Sequence, residues 1–140
     1  MPVDVVEANR LLQAPKVVSA AIRWTCGPAG VWRLKVAVGV LDGPEVLDLR
    51  GYVARNHSFA LLLDNVPVRR FTKHAVHRTL ERVYTEPHKH VFAGEEEPEA
   101  VYVPADIDPT ADINDQFLSF CAECNIALVG TYQRAEFQIR

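Results

Sequence analysis

The chain has 140 residues, of which 49% are hydrophobic and 24% are charged, and its formal net charge is −3. This length is typical of one domain, and an apolar fraction near one half excludes global disorder. The acidic balance excludes a uniformly basic nucleic-acid coat protein, and charges interrupt every apolar stretch before the roughly 18 residues that a membrane-spanning helix needs. With no secretory signal pattern at its start, we expect a single domain over residues 1–140, located in the cytoplasm.

The first half of the chain predicts a short helix followed by a sheet. The helix is expected over residues 4–13, with Asp4 as its cap and Pro15 beyond its end. Apolar and polar residues then alternate as they do in half-buried strands, with Asn56 and His57 interpreted as the turn before the last of them. Short connections between such strands predict an antiparallel meander. The predicted strands cover residues 18–25, 32–40, 47–53 and 58–63.

A second helix is predicted near the C terminus. Asp112 is its candidate N-cap, and apolar residues recur on one stripe of a helix at Ile113, Phe117, Phe120 and Cys124. Asn125 can take the left-handed conformation that ends a helix, and residues 126–132 predict a final strand. The two helices are available to cover the apolar face of the meander, so the predicted fold class is α+β.

The three cysteines do not indicate a disulfide framework, because their number is odd and no export signal is visible. Cys121 and Cys124 form a C-x-x-C pattern, but it stands at the end of a predicted helix and not at the start of one. We therefore interpret both as small core residues and expect no redox chemistry.

Charge is strongly segregated along the chain. Residues 67–90 hold six basic and two acidic residues together with four histidines, whereas residues 91–116 hold eight acidic residues and neither Lys nor Arg. One interpretation is that Arg69, Arg70 and Lys73 bind phosphate groups, because guanidinium and ammonium groups pair well with phosphate oxygens. The other interpretation is that both stretches are solvated loops, since charge runs commonly reflect exposure.

The histidines occur in two pairs, His74 with His77 and His88 with His90. On a strand, the H-x-H spacing assigns both residues to one face. Two alternatives stay open for such a cluster. Imidazoles from the two pairs could bind a divalent transition metal, or two of them could act as general base and general acid in cleaving a phosphodiester through the ribose 2′-hydroxyl, as in a metal-independent ribonuclease.

Several motifs of the C-terminal half occur together in one known family. They are a basic pair ahead of a histidine, a Pro-His-x-His strand, an Ala followed by a Pro, and a helix ending in Cys-Asn-Ile, here in residues 69–77, 87–90, 100–104 and 117–126. Through these motifs the chain resembles a family of small uncharacterised prokaryotic proteins that are often carried by prophages and other mobile elements. The resemblance implies that setting and favours His77, His88 and His90 over His74 and His57, but it implies no activity. In place of the family's Asn-Pro-Asp-Gly turn after the first histidine, this chain has residues 78–81, Arg-Thr-Leu-Glu.

Two classes of function follow from these patterns. The first is a protein that binds or cleaves nucleic-acid phosphodiesters, a ribonuclease-like toxin or defence factor. Its candidate catalytic residues are His77, His88 and His90, and its candidate phosphate-binding residues are Arg69, Arg70 and Lys73. The second is a non-enzymatic phage or mobile-element protein that binds a protein partner through its acidic stretch, residues 94–115. Exposed strand edges are compatible with a homodimer.

Overall fold

The fold consists of helices that pack on a large sheet. The computed structural model describes residues 5–73, 77–78, 83–84, 88–91, 100–102 and 112–137. The helices within these ranges are α1 (Val5–Gln13) and α2 (Ile113–Glu123). The strands are β1 (Lys16–Val18), β2 (Ile22–Arg23), β3 (Thr25–Cys26), β4 (Trp32–Val40), β5 (Val46–Val53), β6 (His57–Leu63), β7 (Val66–Lys73), β8 (His77–Arg78), β9 (Val83–Tyr84), β10 (His88–Val91), β11 (Ala100–Tyr102), β12 (Ile126–Leu128) and β13 (Tyr132–Gln133).

One mixed sheet contains nine of the strands in the described ranges, in the order β11-β10-β7-β6-β5-β4-β1-β12, with β3 also pairing with β4. Neighbours from β4 to β7 are antiparallel, and β10 and β11 continue the sheet in the same manner beyond β7. At the other edge β12 pairs with β1 in parallel. The α+β class is thus confirmed, with a mostly antiparallel sheet.

The predicted first strand is divided into three short ones, because the chain leaves the main sheet in its middle. β2 pairs with β13 in a second sheet, where Ile22 lies opposite Tyr132. Val18, Ile22 and Trp24 are buried as the alternation predicts, but Ala20 is exposed in the segment between β1 and β2.

The interpretation of His57 as a turn residue is wrong. His57 begins β6, its side chain is only 2% exposed, and its Nε2 lies 3.0 Å from Oε1 of Gln116 on α2. A buried imidazole of this kind needs a polar partner, and Gln116 supplies one from the helix that packs on the sheet.

Strand β7 is the largest element that the pattern of the sequence did not reveal. It follows β6 through a two-residue turn, in which Asp64 has φ of 50° and Asn65 has φ of 66°. Hairpin turns with two positive φ angles match the twist of the sheet, and Asp and Asn tolerate this conformation best among residues with a side chain. The turn therefore carries the meander directly into the segment that holds Arg69 and Arg70.

The core lies on one face of the sheet. Phe59 of β6 and Phe71 of β7 stack with ring centroids 5.6 Å apart, and Phe117 of α2 packs edge-on against Phe59 at 5.4 Å. Helix α1 contributes Ala8 and Leu11, which are buried. Strand alternation then requires the intervening residues of the same strands to face the other way.

Both predicted ends of α2 are confirmed. Oδ1 of Asp112 accepts a hydrogen bond from the backbone N–H of Asn114 at 2.8 Å, which caps the first turn. Asn125 has φ of 57° just beyond the helix, and its amide donates to the carbonyl of Gln13 at 2.8 Å. In the described ranges, neither helix has the length and apolar character needed to cross a membrane.

Candidate nucleic-acid interface

The face of the sheet opposite the core is polar and partly or fully exposed on strands β4 to β7. We call this surface the open face. It follows from the alternation along each strand, because every second residue of a strand whose neighbours are buried must point away from the core. Its central residues are Arg33, Lys35, Asp48, Arg50, Tyr52, Ser58, Ala60, Arg70 and Thr72.

The pairing register arranges these residues in two rows that run across the strands. In the first, which we call the cationic row, Lys35 lies opposite Arg50, Arg50 opposite Ala60, and Ala60 opposite Arg70. Neighbouring strands are about 4.8 Å apart, so this row spans roughly 14 Å from β4 to β7. Three of its four positions carry a positive charge.

The second row lies two residues further along each strand, at a distance of roughly 6.8 Å from the first. We call it the tyrosine row. In it Arg33 lies opposite Tyr52, Tyr52 opposite Ser58, and Ser58 opposite Thr72. The Arg33 guanidinium lies over the Tyr52 ring, 5.2 Å from its centroid, in a cation–π contact.

Among the described central residues of the open face, four are basic and one is acidic, although the whole chain is acidic. Asp48 is the one carboxylate among the central residues named above, and its Oδ2 lies 3.4 Å from Nη2 of Arg50. The same guanidinium nitrogen donates to Oδ1 of Asn65 at 3.0 Å. These contacts hold the Arg50 guanidinium near the β6–β7 turn.

A concave region of about 650 Å³ lies on the open face. Cations from three different strands meet there, since Arg23 of β2 joins Arg33 of β4 and Arg50 of β5. A concavity raises the electrostatic potential of the charges that surround it, and a positive one attracts anions. The remaining lining residues are Thr25, Leu34, Lys35, Gly51, Tyr52, Ser58 and Ala60.

The structure separates the two adjacent arginines that the sequence suggested as a phosphate-binding pair. Arg70 belongs to the cationic row. Arg69 belongs to the core side, where it is 9% exposed and its guanidinium forms an ion pair with Glu123 of α2. Lys73 lies opposite His57 in the register, at a position of the core side. A phosphate contact by Arg69 or Lys73 stays a prediction, and the open face does not include either residue.

The register pairs two of the three predicted catalytic histidines with residues of the open face. His90 lies opposite Arg70, and His88 lies opposite Thr72. The two histidines therefore extend the cationic row and the tyrosine row by one strand each. His77 lies on β8, which pairs with β9 in a separate two-stranded sheet. Strand pairing within the described ranges thus unites His88 and His90 with Arg70, but it does not unite His77 with them.

Other predicted features lie elsewhere. His74 and most of the acidic stretch 94–115 are outside the described residues. Among those the structure does describe, no group of three or more His, Cys, Asp or Glu residues could hold a metal ion, so the histidine-bound divalent metal stays a prediction. Cys121 and Cys124 are buried free thiols, and burial raises the pKa of Cys121 to about 12.

Sequence reasoning missed most of this surface. Four of its residues are polar positions of the predicted strands, whereas the segregation of charge along the chain points to residues 67–90; the four are Arg33, Lys35, Arg50 and Tyr52. The signal that could have found them is the recurrence of cations at alternate positions of adjacent strands. What the sequence alone does not contain is the register that aligns those positions.

In the comparisons with known proteins, no family model matches the chain, and no curated protein or solved structure matches it. The resemblance to prophage-associated proteins stays a prediction. Function is therefore argued from the site itself.

Proposed function

We propose that the protein binds nucleic acid through its open face, with the phosphodiester backbone lying along the cationic row. The observation that carries this proposal is the alignment of Lys35, Arg50 and Arg70 in one register row across β4, β5 and β7. Lysine and arginine form charge-assisted hydrogen bonds with phosphate oxygens, and such contacts supply most of the affinity of sequence-independent binding.

The architecture supports this choice of surface. We propose that α1 and α2 together cover one face of the β4–β7 meander, which leaves the opposite face for a ligand. A protein of net charge −3 repels a polyanion on average, so binding requires a local surface where the sign is reversed. The open face is such a surface. A nucleic-acid ligand also fits the cytoplasmic location expected from the sequence.

The proposal extends to cleavage of the bound strand beside β10. In the register, His88 and His90 continue the two rows onto β10, opposite Thr72 and Arg70. One imidazole would take the proton of a ribose 2′-hydroxyl, whose oxygen attacks the adjacent phosphorus. The other imidazole would give a proton to the departing 5′-oxygen, and the products would be a 2′,3′-cyclic phosphate and a free 5′-hydroxyl. Arg70 would stabilise the charge that develops on the phosphoryl oxygens.

Binding is tested by fluorescence anisotropy with labelled RNA and DNA oligonucleotides over a series of salt concentrations. The double variant Lys35→Gln/Arg50→Gln should bind more weakly than the parent, and the slope of log K against log salt should decrease by about 0.7 for each phosphate of a single strand that the variant no longer binds. A matched double variant, Arg10→Gln/Arg134→Gln, removes two cations that lie on α1 and beyond β13. Equal weakening in the two variants, or no binding by the parent at low salt, would exclude the proposal.

Cleavage is tested separately, by incubating labelled RNA and DNA with the protein in the presence of a chelator. We expect RNA to be cut and DNA to stay intact, because only RNA has the 2′-hydroxyl. His88→Ala and His90→Ala should abolish cleavage while leaving the anisotropy titration nearly unchanged. If RNA also stays intact under conditions in which it is bound, the cleavage part is wrong and the binding part stands.

A further inference from the structure

The two rows of the open face differ in chemistry, and this difference bears on the form of the nucleic acid. The cationic row offers charge to a phosphodiester backbone, through Lys35, Arg50 and Arg70. The tyrosine row offers an aromatic ring and two hydroxyl groups, from Tyr52, Ser58 and Thr72. A backbone on the first row would bring the attached nucleosides over the second, which runs beside it.

Tyr52 is placed so that one side of its ring can receive a base. Arg33 covers one side, with its guanidinium carbon 5.2 Å from the ring centroid. On the other side the cross-strand neighbour is Ser58, whose side chain is small. Aromatic side chains at such positions stack on bases of any sequence, and a neighbouring arginine adds a cation–π contribution.

A double helix would make no use of this ring, because its bases are stacked on one another and present only their edges in the grooves. The concave region supports the same conclusion. At about 650 Å³ it has the size of a pocket for a small molecule, such as one nucleotide, and it includes Tyr52, Arg33 and Ser58 in its lining. A segment of duplex, with its two paired strands, is too bulky for a region of this volume.

We infer that the ligand of the open face is single-stranded nucleic acid, with its backbone on the cationic row and a base stacked on Tyr52 against Arg33. This inference rests on the proposed function and goes beyond it in naming the strandedness of the ligand and the residue that recognises it. Single-stranded RNA and DNA share this chemistry, and the experiment includes both.

The experiment compares single-stranded RNA, single-stranded DNA and the corresponding duplexes in anisotropy titrations of equal length and salt. We expect at least one single strand to bind at least tenfold more tightly than its duplex. Tyr52→Leu should weaken binding of the single strand roughly five- to hundredfold, which is the range for removal of one stacked base–aromatic pair. Tyr52→Phe should retain most of the affinity, because it keeps the ring.

Two further measurements separate stacking from a structural effect. Ser58→Val fills the space beside the ring with a residue that suits a strand, and it should weaken single-strand binding even where Tyr52→Leu proves unstable. A 2-aminopurine base in the oligonucleotide should lose fluorescence on binding to the parent protein and less on binding to Tyr52→Leu. The salt slope should stay the same in Tyr52→Leu, since no phosphate contact is removed.

The outcomes distinguish the two proposals. Failure of the parent to bind any nucleic acid removes the proposed function and this inference with it. Binding of duplex as tightly as of single strand, or full affinity in both Tyr52→Leu and Ser58→Val, overturns only the inference.

Discussion

Lys16 shows how a single buried charge is accommodated at the end of α1. Its side chain is 1% exposed, and Nζ donates hydrogen bonds to the carbonyls of Leu11, Leu12 and Ala14 at 2.6, 2.8 and 2.6 Å. An ammonium group has three hydrogens, and all three are used here to satisfy carbonyls at and just beyond the last turn of the helix. Burial nevertheless disfavours the charged form and lowers the pKa of Lys16 from 10.5 to about 8.

This lowered pKa predicts a specific dependence of stability on pH. Between pH 8 and pH 10.5 the unfolded chain holds the Lys16 proton more tightly than the folded protein, so the contribution of Lys16 to the free energy of unfolding rises with pH. The free energy of unfolding of the parent minus that of Lys16→Met should therefore increase with pH over this range, by at most about 1.4 kcal/mol per pH unit. Urea unfolding at several pH values measures it, with Lys35→Met as the control. A difference that stays flat or falls would contradict the assignment.

The backbone of Gly51 lies so close to Trp24 that there is no room for a side chain at this position. A Cβ atom there would lie 2.2 Å from Cη2 of Trp24, whose indole is packed 5.5 Å from the ring of Phe117. Since Trp24 cannot move away without disturbing the aromatic core, Gly51→Ala should lower the free energy of unfolding by about 1–3 kcal/mol. Gly39→Ala is the matched control, because a Cβ there finds its nearest neighbour in Val17 at 4.0 Å. Similar unfolding midpoints for the two variants would show that the Gly51 site has more room than its packing against Trp24 implies.

At the scale of the element, one side of strand β7 packs in the core and the other side belongs to the open face. Its core side carries Phe71 and the Arg69–Glu123 ion pair to α2, and its open side carries Arg70 and Thr72. Alternation within one strand thus links the packing of the helix to the proposed ligand surface. The same alternation places the neighbouring residues Arg69 and Arg70 on opposite sides of the strand.

The two adjacent arginines provide a matched test of this division. Arg69→Gln should lower the free energy of unfolding by about 2 kcal/mol, because it removes a charged partner of the half-buried Glu123 carboxylate. Arg70→Gln should weaken binding of nucleic acid and reduce its salt slope, which Arg69→Gln should leave unchanged. Thermal unfolding and anisotropy on both variants give the comparison. The reverse pattern, with Arg69 needed for binding and Arg70 for stability, would contradict this division of the two faces.

For the molecule as a whole, the sequence predicted the class of fold better than it predicted the arrangement of the site. Local signals sufficed where they were strong, as at the Asp112 cap, the Asn125 end of α2 and the alternation in β4 and β5. Local signals failed for His57, because a histidine next to Asn56 suggests a turn. The strand position of His57 depends on its buried contact with Gln116, which is 59 residues away in the chain.

The arrangement of the candidate site likewise depends on contacts between residues that are far apart in the chain. Lys35, Arg50 and Arg70 are far apart in the chain, and only the strand register brings them into one row. No local pattern encodes that register before the strands are paired. The parallel pairing of β12 with β1 is equally non-local, since it joins residues about 110 positions apart.

The central claim, that the open face is where nucleic acid binds, is tested most directly by methyl NMR during titration with a single-stranded oligonucleotide. Ala60 and Thr72 report on the open face, while Leu61 and Leu49 report on the core side of the same sheet. We predict saturable shifts of the Ala60 and Thr72 methyl signals, with Leu61 and Leu49 nearly unchanged. Shifts confined to the helices or the core side, with the Ala60 and Thr72 signals unmoved at saturation, would contradict the claim.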